Sequence, residues 1–586
     1  MNLLRDIRYA FHTLRSSPAY TLMCTAVLAL GIGANAAIFS VVNGVILSAL
    51  PYPDVGRLVF VWERFPNLPA PVGDRMEVAH SNYLAWKSQS RSFDAMEAIC
   101  GQQLATEPAS PRRVKTAFAS AGLFPLLGAH ARIGRLFTAG EDLRGAGRVA
   151  VLSDSYFDQR FHRDAGALDR PLTLGGVSYT VIGVLPAAFH LPSTYEGEDQ
   201  LTPDVWVPLS SLFQTAGDEQ KRQLRVPARL KRGVTLAQAR REMESIAESL
   251  QKSNPDFDEG WHTAVFPFSV EDSSPTLHLA IYVLMGAVGF LLLIACANLA
   301  NLTLARTALR SREIAVRLAL GATRGRIVAQ LATEALLVSL AGAAAGLLLA
   351  HWCVRAMLSL KPEDIQRPDL IGIDWTVFAF AAAASLLTTA LFGLLPAWAA
   401  SRSDLSTALK SGGAWGASAA RARSRQFLIA VEVVLALMLL TGAGLMMRSL
   451  RELMGTGVGF DPTRLTAMDL ELPAARYPDG ASQSRFFRAA IERAGALPGV
   501  AAAAAVDNVP LHSLSFSNFS IAGRPDPPID ALPISDTARV SPGYCAAIGL
   551  RLEAGRWFTD RDQEPTESGG HRVAAVNVAF VRKFFP

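Results

Sequence analysis

Five apolar stretches constrain this chain more than anything else in it: Tyr20–Leu47, Leu277–Leu302, Ile327–Leu358, Trp375–Ala400 and Phe427–Met447. Each is long enough to cross a bilayer, which takes about 20 mostly apolar residues wound as helix. Inside hydrocarbon the backbone must satisfy its own hydrogen bonds, so helix is the only open choice for such segments. Arg5, Arg8 and Arg15 precede the first stretch, as basic residues precede a signal peptide. Its apolar run, however, is far longer than the roughly 7–15 residues of a signal segment, so it reads as a retained span.

The charges between the stretches give an orientation. Residues 1–18, 304–329 and 401–426 together carry a net +11, whereas 359–374 carries −2, 48–276 carries −3 and 448–586 is neutral. Lys and Arg are held on the cytoplasmic side during insertion. The N-terminus, 304–329 and 401–426 are therefore expected inside, and 48–276, 359–374 and 448–586 outside. This alternation accounts for the overall charge of +5, and nucleic acid is not an expected partner. Only 18% of the residues are charged, below the ~25% of ordinary soluble domains. Cys24, Cys100, Cys296, Cys353 and Cys545 form no paired motif, so neither a zinc site nor a disulfide framework is expected.

Segment 48–276 is large enough for a core of its own. Val177–Val184 and Asp204–Val207 read as strands, and Thr235–Leu250 as a helix capped by Thr235, with Ala239, Met243 and Ile246 on one face. An α+β domain is expected. The sequence also repeats. Gly122, Gly128, Gly134, Arg135, Phe137 and Thr138 recur as Gly543, Gly549, Gly555, Arg556, Phe558 and Thr559, all 421 residues later. The run from Val149 recurs from Val573, offset by 424. The chain thus reads as internally duplicated with a truncated second copy. By repeat logic it is expected to be part of a protein of roughly 800 residues with eight spans.

Segment 304–329 (LARTALRSREIAVRLALGATRGRIVA) carries six arginines against Glu313. Gly321 interrupts a helical pattern that resumes near Thr323, giving a short hairpin suited to receive force from a soluble partner. An arginine-rich, lipid-facing loop is the plainer alternative. Residues 1–18 read as an amphipathic helix, with Leu3, Leu4, Ile7, Ala10, Phe11 and Leu14 on one face ahead of Pro18. Small residues four apart mark close helix packing: Ala29/Gly33/Ala37, Gly342/Gly346/Ala350 and Ala381/Ser385/Thr389/Gly393. Asn35 and Asn43 read as interhelical polar contacts, and Glu432 as an interfacial partner of Arg421, Arg423 and Arg425. No phosphate loop, nucleophile elbow or zinc-protease helix occurs in the sequence. No catalytic, cofactor or metal residues are expected.

The run REIAVRLALGATRGRI (Arg312–Ile327), with Glu334 after it, resembles the FtsX/MacB-type ABC transporter permease domain. VLSDSYFDQRF, YTVIGVLPAAF, DVWVPL and ARLKRGVTLAQAR in 48–276 are similar to a MacB-like periplasmic core domain. The opening LRDIRYAFHTLRSSPAYT resembles the duplicated orphan permease branch.

The resemblance implies a polytopic α-helical membrane protein with large α+β extracytoplasmic domains. Its parts would be a cytoplasmic amphipathic helix (1–18), span 1 (19–47), a core domain (48–276), a permease domain with spans 2–4 (277–400), a linker (401–426), span 5 (427–447) and an incomplete second domain (448–586). It further implies a multi-pass permease of the plasma (inner) membrane, its N-terminus cytoplasmic, working with separate ABC ATPase subunits that use the ATP. Coupling would fall on Arg312, Glu313, Arg317, Gly321, Ala322, Thr323, Arg324 and Arg326, and helix packing on Gly33, Gly342, Gly346 and Gly393. Export or extraction of a substrate is the implied function. The alternative is a signal-transmitting membrane protein governing an extracytoplasmic partner such as a cell-wall hydrolase.

Overall fold

The computed structural model describes residues 3–44, 52–105, 113–189, 191, 203–268, 275–310, 316–317, 320, 323–359, 371–390, 418–455 and 459–585, apart from short breaks at 69, 71, 214–217, 462–463, 471, 473–475, 478, 510–515, 526, 529–530 and 564–572. The chain forms two compact units: Met1–Ala49 with Ser273–Thr456, and Leu50–Asp272 with Gly457–Pro586.

The first unit is helical. A helix over Leu3–Arg15 ends at Ser16–Ser17, and span 1 follows as Pro18–Val42. Pro18 suits that start, because its missing N–H would have no intrahelical acceptor in the first turn. Of the apolar residues expected on one face of the first helix, Ala10 and Leu14 are buried and Phe11 is 64% exposed. Span 2 is Pro275–Leu309, span 3 is Arg324–Ser359 and span 5 is Ser418–Gly455. These three and span 1 are long and apolar enough to cross a membrane. The fourth apolar stretch is described as helix over Trp375–Thr389, and the rest of it, from 391, lies outside the described residues. Leu28 and Ile32 of span 1 are buried in one apolar cluster with Leu299, Val338, Ala343 and Ala381 of spans 2, 3 and 4.

Polar groups fix the register of these helices. Asn35 Nδ2 donates to the Val288 carbonyl of span 2 at 2.7 Å. Asp374 caps span 4 by accepting from the Val377 amide at 2.9 Å, and its other oxygen accepts from Asn43 Nδ2 at 2.8 Å. Ser339 and Ser385 hydroxyls meet at 2.9 Å between spans 3 and 4. Away from water, a polar group left alone costs more than the bond it makes is worth.

The second unit contains two principal sheets. One runs His262–Pro267, Leu58–Arg64, Val226–Leu230, Phe93–Met96, all antiparallel. The other runs Ile99–Ala105, Arg113–Ala119, Val205–Pro208, Val149–Leu152, Val177–Val184, Ile133–Gly134, with Pro171–Leu174 also on Val177–Val184. It is mixed, since Val205–Pro208 is parallel to Arg113–Ala119 and antiparallel to Val149–Leu152. Leu236–Ser253 is helical, opened by a capping box between Thr235 and Gln238, and it buries Ala239, Met243 and Ile246 as its periodicity required. A buried ionic cluster sits beside this core. Glu63 accepts from Arg222 Nε, from the Ala79 amide at 3.1 Å and from Asn82 Nδ2 at 2.9 Å. The Arg222 guanidinium lies 3.8 Å from the centre of the Trp261 ring.

The repeated segments share local geometry. Leu123–Leu127 and Tyr544–Ile548 are both short helices, closed by Gly128 and Gly549, each at φ 71°. That left-handed closure is open to glycine without the Cβ penalty other residues meet. Farther on, Arg135 grips Glu141 through two bonds at 2.8 and 2.7 Å, and Arg556 grips Asp562 at 2.8 and 2.9 Å. The Thr138 amide and the Thr559 amide donate to the same carboxylates, at 2.9 and 2.7 Å. Ser153 and Asn577, 424 residues apart, both cap the helix that follows.

Candidate functional site

Residues 304–329 join spans 2 and 3, and four of the coupling residues named from the sequence, Arg312, Glu313, Gly321 and Ala322, lie outside the described residues. Arg324 opens span 3, and only its backbone is described. Thr323 stands just before it, its carbonyl accepting from the amides of Arg326 and Ile327 at 3.0 and 3.4 Å. Thr323 and Arg326 are exposed, as is Leu320, at 83%. Arg317 turns the other way. Its guanidinium donates to Gln330 Oε1 at 2.9 Å and to the Tyr9 hydroxyl at 2.5 Å.

One turn along span 3 from Gln330 lies Glu334, which accepts from Gln330 Nε2 at 3.3 Å. Arg310, at the end of span 2, donates to both Glu334 oxygens at 3.5 and 3.2 Å. Tyr9, Arg317, Gln330, Glu334 and Arg310 thus form one connected chain, linking the N-terminal helix, Arg317 of the segment between the spans, span 3 and span 2. Arg306, one turn before Arg310, donates to the Thr13 carbonyl and to Ser17 Oγ, both at 3.3 Å, and lies over the Tyr20 ring at 4.2 Å. Burying a carboxyl group as deeply as Glu334 is offset by pairing and hydrogen bonds of this kind. The arrangement is a joint: Arg317, the N-terminal helix and spans 2 and 3 are tied together through charge-assisted bonds. Its chemistry is mechanical and electrostatic, and among the described residues no cluster of His, Cys, Asp or Glu could hold a metal.

The packing residues occupy the seam between spans 1 and 3. A Cβ on Gly33 would stand 2.9 Å from the Gly346 carbonyl oxygen, and one on Gly346 would stand 3.0 Å from the Gly33 nitrogen. A Cβ on Gly342 would lie 2.6 Å from that of Leu28. Gly393 lies outside the described residues. The sequence noted Glu334 only after a motif and Arg306 and Arg310 only among the six arginines of 304–329, and it passed over Tyr9 and Gln330. Their signal is the i,i+4 spacing of Arg306/Arg310 and of Gln330/Glu334, which puts each pair on one helix face.

Two family models match the chain: the MacB-like periplasmic core domain over residues 21–246 and the FtsX-like permease C-terminal domain over 285–405. Together they cover more than half of it. The chain belongs to the FtsX/MacB-type permeases. This permease is 30% identical over 292 residues to the macrolide export ATP-binding/permease protein MacB of Salmonella paratyphi A, a match covering 49% of this chain and 41% of that protein. It is 25% identical over 279 residues to the pyoverdine export ATP-binding/permease protein PvdT of Pseudomonas syringae pv. tomato, covering 46% and 39%. The matches thus span less than half the length of these relatives. Among solved structures, the periplasmic region of MacB from Actinobacillus actinomycetemcomitans matches 42% of this chain and 97% of its own, at 13% identity and a TM-score of 0.28. The permease is a helical membrane protein whose long apolar helices accompany an α/β core domain.

Proposed function

We propose that this permease is the membrane subunit of an ABC export system whose ATP is hydrolysed by a separate polypeptide. The chain from Tyr9 through Arg317, Gln330 and Glu334 to Arg310 carries the reading. An ATPase seated on the exposed residues of 304–329 would push on Arg317, and the push would reach spans 2 and 3 and the N-terminal helix together. Spans 1 and 2 continue covalently into the two ends of the core domain, so their relative movement would be delivered there. The charge asymmetry of the loops supports a cytoplasmic N-terminus and hairpin. The matched Arg135–Glu141 and Arg556–Asp562 grips support the reading of 448–586 as a second copy of the core domain's opening. The exported substrate is read as one drawn from the extracytoplasmic side, since the core domain belongs to that side in this topology.

The permease, affinity-captured from its native membranes in mild detergent, should bring ATP hydrolysis with it. Arg317→Glu with Arg326→Glu should lower that activity at least about fivefold while leaving the permease's helical content unchanged. Capture without ATP hydrolysis, or undiminished hydrolysis with the double variant, contradicts the reading. A co-purifying cell-wall hydrolase, with no ATP-dependent substrate release, would turn it toward signalling.

A further inference from the structure

The helix over Leu3–Arg15 has two opposed faces. Ala10, Thr13 and Leu14 are buried. Leu14 packs in the apolar cluster with Leu28 and Leu299, and the Thr13 carbonyl accepts from Arg306. On the other side Arg8, Phe11, His12 and Arg15 are all exposed. Their spacing of three and four residues puts them within about 100° of arc at 3.6 residues per turn. Among the described residues, none forms an ion pair with Arg8, His12 or Arg15. An apolar ring flanked by two fixed cations and a histidine thus faces away from the helices. Arg15 stands three residues before span 1 begins at Pro18.

We propose that this face seats on an anionic lipid surface, with Phe11 entering the acyl boundary and Arg8 and Arg15 meeting lipid phosphates. Three observations carry this. The side with Ala10, Thr13 and Leu14 is already covered by the protein, so the side left for a bilayer is the basic one. Guanidinium groups present planar forks that match phosphate oxygens. An aromatic residue among basic ones is the composition of a helix lying in the headgroup layer. The short link to span 1 holds this face at the membrane boundary, which favours lipid over a soluble acidic protein. Tyr9, on the edge between the two faces, is bonded to Arg317. The lipid contact would therefore reach the joint through the N-terminal helix, and neither that contact nor its test involves ATP.

Spin-label accessibility in the full chain tests this. With its five native cysteines replaced, the permease carries a nitroxide, itself an apolar ring, at Phe11→Cys. It is placed in nanodiscs of phosphatidylcholine alone or mixed with phosphatidylglycerol. Phosphatidylglycerol should make the label at least about threefold less accessible to a water-soluble nickel chelate, a modest share of the binding that two arginines contribute at a charged surface. Arg8→Gln with Arg15→Gln should abolish the difference between the lipids, whereas Arg448→Gln, at an exposed arginine bonded to Glu452, should leave it. Equal accessibility in the two lipids overturns the proposal without reference to any further variant, and a difference that survives the double variant overturns the assignment to this face. A label that stays open to the chelate in both lipids until polyglutamate is added assigns the face to an acidic polypeptide and overturns the lipid.

Discussion

Arg310 and Glu334 face each other across spans 2 and 3 at 3.2 Å, with the glutamate side chain 9% exposed and the arginine 23%. No other ion pair described between two spans is so enclosed, and it closes the chain that begins at Tyr9. Its worth lies in what happens when one partner is lost. Glu334→Ala takes the described carboxylate from Arg310 and the acceptor from Gln330 Nε2, and a broken buried pair costs about 3–5 kcal/mol. Because Arg310 is partly exposed, about 3 kcal/mol is expected. Replacing both residues with methionine should cost less than the single change. Thermal unfolding of the two variants in detergent measures both, and a double-methionine variant that costs more than Glu334→Ala would exclude the pairing.

The seam between spans 1 and 3 makes a second expectation. At Gly33 an added methyl meets backbone, the Gly346 carbonyl oxygen at 2.9 Å and its Cα at 3.2 Å, which cannot swing aside as a side chain can. Gly33→Ala should destabilise by about 1–3 kcal/mol, the usual cost of overpacking. Gly286→Ala in span 2, where a Cβ meets nothing within 4 Å, should be neutral within about 0.5 kcal/mol. Equal midpoints for the two variants would show that the close approach does not hold the helices.

A third concerns acid. The bonds from Arg135, reinforced by the Thr138 amide and hydroxyl, hold Glu141 well below the ordinary glutamate value, at about 2. A carboxylate with a depressed folded-state pKa contributes stability above its unfolded value, and that contribution fades as pH falls toward the folded one. The permease should therefore lose stability between about pH 4.5 and pH 2 through this group. Glu141→Gln should flatten the decline in that window, read by denaturant unfolding at several pH values. An unchanged slope would remove Glu141 from the account.

In the core domain, Arg222 compensates Glu63, whose side chain is 1% exposed, and it also reaches Asp258 at 3.5 Å. Arg222→Met would leave two buried carboxylates without their cation. A loss of about 3–5 kcal/mol is expected, far more than for Arg163→Met, at a surface arginine half exposed beside Asp158. Comparable midpoints for the two variants would argue against a structural role for the cluster.

Much of this architecture was legible from the sequence, for physical reasons. Apolar length marks spans because hydrocarbon leaves the backbone no alternative to helix, and Thr235 with Gln238 marks a helix start because the first turn needs acceptors. Gly33 and Gly346 were readable because only a missing side chain lets two helices come so close. The joint was less legible. Arg310 and Glu334 are 24 residues apart on different helices, and nothing in either local pattern states that they meet. Tyr9 was harder still, since its partner Arg317 lies 308 residues away.

The side of the membrane on which 304–329 lies tests the central claim most directly. Leu320 is 83% exposed, so a single cysteine there, in a chain whose five native cysteines are replaced, is a clear target for a membrane-impermeant maleimide. Labelling only after the cells are permeabilised is the predicted result, with the hairpin facing the compartment where ATP is made available. Labelling of intact cells would contradict the account, because no cytoplasmic ATPase could then reach the joint.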